Sequence, residues 1–205
     1  MKKAILILLF VGGLTKISQA QLLNPGISIG YGGFTSPVVD GDAKNRTQQY
    51  FSEGVQGNTT TTSTGAFHAG LNVKVWRLMV GVVGSFEQVY VTNSYYATGA
   101  PAFVKVQHQY WSFMGRVQWN WWSMPEVGFH VYGSGALGFY NVNSKLTQDE
   151  NQLNEQVGNK SSGQGLAYQV SPIGVSFGKK IAAYAELGYG FQGIINAGVR
   201  FSLGK

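Results

Sequence analysis

Residues 181–203, IAAYAELGYGFQGIINAGVRFSL, decide the fold. Ile181, Ala183, Ala185, Leu187, Tyr189 and Phe191 share one parity, and Glu186, Gly188, Gly190 and Gln192 the other. Beyond Gly193 the pattern resumes. Ile195, Ala197, Val199, Phe201 and Leu203 alternate with Asn196, Gly198, Arg200 and Ser202. A period of two is the signature of a strand with one apolar face, and two such runs joined at a short glycine turn read as a hairpin. A turn centred on Gly193 places Glu186 opposite Arg200, as a charge-assisted pair on the polar face.

The same period runs outward through the chain. Eight candidate strands fall at about 26–34, 65–76, 78–92, 104–122, 127–142, 165–178, 180–191 and 194–204. Two positions break the alternation. It slips at Ser171-Pro172, which predicts a bulge, and Gln88 falls on the apolar parity, which places it near an interface. The connections alternate in length. Long polar stretches at Thr35 to Thr64, Asn93 to Phe103 and Asn143 to Gly163 are separated by tight turns at Trp76-Arg77, Ser123-Met124-Pro125-Glu126 and Gly178-Lys179-Lys180. The run Thr59 to Thr62 reads as flexible loop. Long outer loops, short turns and an even strand number belong to transmembrane barrels. Closure has a physical cause, because an open sheet edge in lipid leaves backbone groups unpaired at several kcal/mol each.

The two faces are inverted relative to a soluble barrel. One is rich in Trp, Tyr, Phe, Val and Leu. The other is Gly, Ser, Asn and Gln with isolated charges, a composition that suits a narrow polar lumen. The predicted lumen set is Lys74, Glu87, Arg116, Glu186 and Arg200, with His68 and His130. Trp76, Trp119, Trp121 and Trp122 lie beside tight turns, and Tyr90, Tyr140 and Phe191 near the opposite strand ends, with Tyr95 and Tyr96 beyond Tyr90. Two belts of amphipathic aromatics are expected where strands cross the membrane interfaces. The alternative is a soluble barrel or sandwich with these tryptophans in its core.

Residues 1–20 have the three parts of an export signal: Lys2 and Lys3, the apolar run Ala4 to Leu14, and Ser18-Gln19-Ala20 before the cleavage point. The domain boundaries expected are therefore 1–20 for the signal peptide and 21–205 for an outer-membrane barrel. Losing Lys2, Lys3 and Lys16 leaves 12 basic against 9 acidic residues, a net charge of +3. No basic cluster with interleaved aromatics points to nucleic acid. There are no cysteines, hence neither disulfides nor thiol chemistry. Charged residues make up only 12% of the chain, about half the share in soluble domains. No cofactor is expected, and the three histidines have no recurring metal-ligand spacing. His130 and Ser134 share a face, but four residues of strand separate them by about 13 Å. That is too far for a nucleophile and its base, so no enzyme activity is expected.

The stretch Ser171-Pro172-Ile173-Gly174-Val175-Ser176-Phe177-Gly178, the strand Ala185-Glu186-Leu187-Gly188-Tyr189-Gly190 and Ala197-Gly198-Val199-Arg200-Phe201 resemble the closing strands of small outer-membrane barrels of the OmpA/OmpX type. The style is that of barrel domains common in Bacteroidetes. The resemblance implies an eight-stranded antiparallel up-and-down transmembrane β-barrel in the Gram-negative outer membrane. Its partners would be outer-membrane lipid, the barrel-assembly machinery and a surface ligand of the long loops. Such proteins end on an aromatic; here Phe201 is the last aromatic and Ser202-Leu203-Gly204-Lys205 follow. The function expected is structural or surface-interacting, with a lumen plugged by polar side chains. A narrow solute channel is the alternative, and a lipid-modifying enzyme ranks below it.

Overall fold

The computed structural model describes residues 23–48, 58–97, 100–149 and 160–204. Residues 1–20, read as an export signal, lie outside that range, as do the side chains of Tyr95 and Tyr96. Among the described residues there are nine strands and two short helices. They run in the order β1 (Leu23–Gly33), α1 (Ser36–Val39), α2 (Asp42–Gln48), β2 (Asn58–Ser63), β3 (Ala66–Val75), β4 (Leu78–Ala97), β5 (Ala100–Met124), β6 (Phe129–Asp149), β7 (Lys160–Gly178), β8 (Ile181–Gly190) and β9 (Ile195–Ser202).

Every pairing is antiparallel; β1 pairs with β3, each strand from β3 to β9 pairs with the next in the chain, and β1 closes on β9 from Gly26↔Ser202 to Gly33↔Ile195. The eight strands β1 and β3–β9 are therefore an up-and-down barrel. β2 is the extra element. It pairs with β4 above β3, from Asn58↔Ser94 to Ser63↔Val89. The threonine run read as flexible loop is thus ladder, as suits β-branched residues. β2 and β3 act as one strand interrupted at Thr64-Gly65.

Parity assigns the faces. Along β5, Trp111, Phe113, Val117, Trp119 and Trp121 are exposed on the outside, whereas His108, Tyr110, Ser112, Met114, Gln118 and Asn120 are buried within. Leu71, Phe139 and Leu166 are 60–65% exposed, while Ser28, Gln169, Ser171, Ser176 and Asn196 are buried. An apolar exterior this extensive belongs against lipid, not water. From Trp111 to Trp121 the strand covers about 33 Å at about 3.3 Å per residue. A tilt of about 40° reduces this to about 25 Å, the height of a transmembrane apolar band. The barrel is a transmembrane one in its architecture.

Two irregularities sit side by side in this wall. Register shifts fall between Val170 and Ile173 on β7 and between Tyr132 and Ser134 on β6. Pro172, which lacks an N–H, sits at the bulge as the alternation break requires. A third shift between Asn120 and Trp122 turns both Trp121 and Trp122 outward.

The wall is lopsided. β4–β7 have 19 to 25 residues, whereas β1, β3, β8 and β9 have 8 to 11. The tall strands rise above the apolar band at the end opposite the tight turns. There residues 34–48, which follow β1, fold back over the low rim. Ala43 of α2 is fully buried among Val89, Val91, Tyr110, Val142, Ala167 and Phe191. Residues 35–48, read as outer loop, thus form a helical plug in the mouth.

Candidate functional site

The lumen has three polar levels, each held by side chains of inward parity. At the middle, Glu186 is 2% exposed and is paired with Arg116 through Nη2 and Oε1. Tyr132 donates to the same oxygen at 2.8 Å, and Asn196 Nδ2 approaches Oε2 at 3.4 Å. Arg116 also donates to Ser134 at 3.2 Å. His68 Nε2 is 2.7 Å from Asn196 Oδ1. Gly174 makes room for the Tyr132 ring, since a methyl there would collide with it. This cross-bracing fills the bore of an eight-stranded barrel, which is only wide enough for side chains.

The pair expected across the last hairpin, Glu186 with Arg200, does not form. Glu186 lies opposite Asn196, and Arg200 opposite Ala182. The connection is wider than a tight turn on Gly193. Gln169 reaches into it, donating to the Gly193 carbonyl at 3.1 Å and accepting from the Gln192 N–H at 2.9 Å. That clamp moves the centre of the hairpin to Phe191, so the register differs by four residues.

Toward the tight-turn end, Arg200 donates to Gln118 Oε1 at 3.0 Å. The rings of Tyr132 and Tyr184 flank its guanidinium at 5.8 and 5.4 Å. Lys74, His130 and Arg200 line one cavity of about 80 Å³ with Gln118 and Asn120. His130 Nδ1 is 2.9 Å from Ser123 Oγ, not beside Ser134.

At the mouth, Glu87 is buried and accepts from Thr35 Oγ1 at 2.6 and 2.7 Å and from Ser63. The plug is tied down by tyrosines. Tyr110 donates to Asp42 Oδ2 at 2.8 Å, Arg46 donates to Tyr140 at 3.0 Å, and Tyr189 donates to Asp40. Thr47 Oγ1 lies 2.7 Å from His108 Nε2, and Ser144 Oγ 2.7 Å from His108 Nδ1. His108 is fully buried. Burial, with Arg46 second, pushes its imidazole down to about 4. Sequence reading missed His108 as a mouth residue, although its parity with Tyr110 and Ser112 marks it as inward.

Of the aromatics expected in two belts, Trp76, Trp119, Trp121 and Trp122 are exposed on the outside at the tight-turn end. Trp76 holds φ +55 in the β3–β4 turn and meets Trp119 edge-on at 5.9 Å. Tyr140 and Phe191 are corrections. Both point inward and stack on each other at 4.8 Å beneath the plug. Tyr140 has even parity on β6, and the wide β8–β9 connection turns Phe191 into the mouth. Tyr90 faces outward, but above the band. It is bonded to Gln88 and Gln107 and has the Lys105 ammonium 5.2 Å from its ring.

The outer face of the tall wall changes character at this height. Above Phe86, Trp111, Phe139 and Leu166 the outward residues are Gln88, Tyr90 and Thr92 on β4, Lys105, Gln107 and Gln109 on β5, Asn141, Asn143 and Lys145 on β6, and Ser162 and Gln164 on β7. Gln107, Gln109, Asn143, Lys145, Ser161 and Ser162 line a groove of about 350 Å³ on this wall.

No family model matches the chain, and no curated protein matches it. Among solved structures it is similar to Ail, the attachment invasion locus protein of Yersinia pestis, crystallised with the heparin analogue sucrose octasulfate. The identity is 14% and the TM-score 0.36, over 88% of this chain and 94% of that one.

Proposed function

We propose that this chain is an integral outer-membrane barrel whose tall wall, β4–β7, stands outside the cell as a contact surface for a polar ligand. The observation that carries the reading is the switch on that wall from apolar to amide, hydroxyl and lysine side chains above the 25 Å band. In this reading residues 1–20 direct export, the assembly machinery inserts the barrel, and the tight turns face the periplasm. The aromatic belt at the tight-turn end, Trp76, Trp119, Trp121 and Trp122, meets the inner interface. The groove beside Gln107 and Lys145 suits a hydroxyl-rich ligand, which amides and an ammonium bind through directional hydrogen bonds. The plug and the Arg116–Glu186 brace oppose a channel, since both lie across the bore.

The chain lacks cysteine, so single-cysteine labelling in intact cells tests the orientation. Ser162→Cys, on the tall wall, should react with a membrane-impermeant maleimide, and Ser123→Cys, at a tight turn, should not. Reaction of Ser123→Cys alone would invert the barrel and remove the contact surface from the outside. For the groove, a Gln107→Ala/Gln109→Ala/Lys145→Ala variant should still insert but lose binding of the expressing cells to a glycan array. An unchanged glycan profile would count against the groove.

A further inference from the structure

The lumen charges do not balance level by level. Glu186 is taken up by Arg116, Tyr132 and Asn196, and Glu87 lies at the mouth with Thr35 and Ser63. The cavity near the tight-turn end is therefore left with cations. Among the described residues, Lys74, Lys179 and Arg200 line it, His130 joins them, and no carboxylate does. Arg200 is held by one amide and two rings, and its Nε is buried without a hydrogen-bond partner. A buried guanidinium N–H without an acceptor is costly, and Nε of the half-buried Arg200 is such a group. Among the described residues, each other buried charge in the bore has a partner of opposite sign or hydroxyl donors, so this level stands apart.

We propose that this cavity is a binding site for a small phosphate-type oxyanion, with Arg200 as the directional donor and Lys74 as the mobile charge. The planar guanidinium offers paired N–H groups to two oxygens of such an anion. Lys74 is half-buried at the cavity and closes over a third oxygen. Gln118, Asn120 and Ser176 supply neutral polar walls. About 80 Å³ admits one small tetrahedral anion rather than a nucleotide or a sugar phosphate. Two sources share this chemistry: inorganic phosphate entering from solvent, and the phosphate of an anionic lipid headgroup at the adjoining interface.

The test uses the folded full-length barrel in maltoside micelles, which contain no phosphate. Inorganic phosphate is titrated against chloride at constant ionic strength, and the imidazole resonances of His130 and His108 are followed by NMR. A second arm replaces phosphate with phosphatidylglycerol doped into the micelles. The site predicts a saturable shift of His130 with His108 unmoved. Lys74→Gln and Arg200→Gln should each weaken the affinity about tenfold or more, and Lys145→Gln should not change it. A response to inorganic phosphate assigns a soluble ion, and a response to phosphatidylglycerol alone assigns the headgroup. No saturable response in either arm, or one that Lys74→Gln leaves intact, overturns the proposal. Because Lys74 is only half-buried, its variant decides the matter even where Arg200→Gln does not fold.

Discussion

Glu186 accepts from Arg116 and Tyr132 in a space with no room for bulk water. Removing Arg116 strands a buried carboxylate. Arg116→Met should therefore destabilise the folded barrel by about 3–5 kcal/mol, and Arg116→Met/Glu186→Met should recover most of the loss, as read by urea unfolding in micelles. Equal stability of single and double variants would mean that the brace carries no strain of charge. His108 makes the complementary case with a base. Its folded value near 4 lies below the ordinary 6.5, so folding favours the neutral ring. Stability is then complete above pH 6.5, falls as the pH drops toward 4, and is flat below that. The whole effect is about 3 kcal/mol. His108→Gln should flatten this part of the pH profile, and a slope that persists would assign it to other groups.

The seven residues of α2 are too few to be stable as an isolated helix. Asp42 in its first turn and Arg46 in its last complement the helix dipole and pair at 2.8 Å, but surface pairs of this kind are worth only tenths of a kcal/mol. Burial of Ala43 and the tyrosine anchors hold it. Ala43→Arg should unseat α2 without opening the barrel. The checks are faster proteolysis within residues 35–57 and a His108 value returning toward 6.5. The eight wall strands were legible because period-two alternation survives along them, and Pro172 marked its bulge, whereas β2, built of Asn, Thr and Ser, has no apolar face and read as loop. The plug was not legible, since Ser36 to Gln48 is polar at most positions and only Ala43 and Thr47 face inward from α2. The Glu186 register was equally hidden. It depends on Gln169, a residue of a different strand, entering the last connection.

At the scale of the whole molecule, backbone closure and an exterior of exposed Leu, Phe and Trp predict a detergent-stable cylinder. Unboiled protein in a gel should migrate differently from boiled protein, and planar bilayers holding it should show no current steps. Ala43→Arg should remain silent as well, because the Arg116–Glu186 brace still crosses the bore. Steps in the wild-type protein would refute the closed lumen.

The stopper also fixes an order of events in time. It is drawn from the chain between β1 and β2, yet its seat is built from β4, β5, β6, β7 and Phe191. The segment made second is therefore the last that can be placed. While later hairpins are still joining, α2 has nothing to rest on; once β9 has met β1, the seat is whole. A docked stopper thus certifies a finished cylinder, and chains that stall partway through insertion carry it loose.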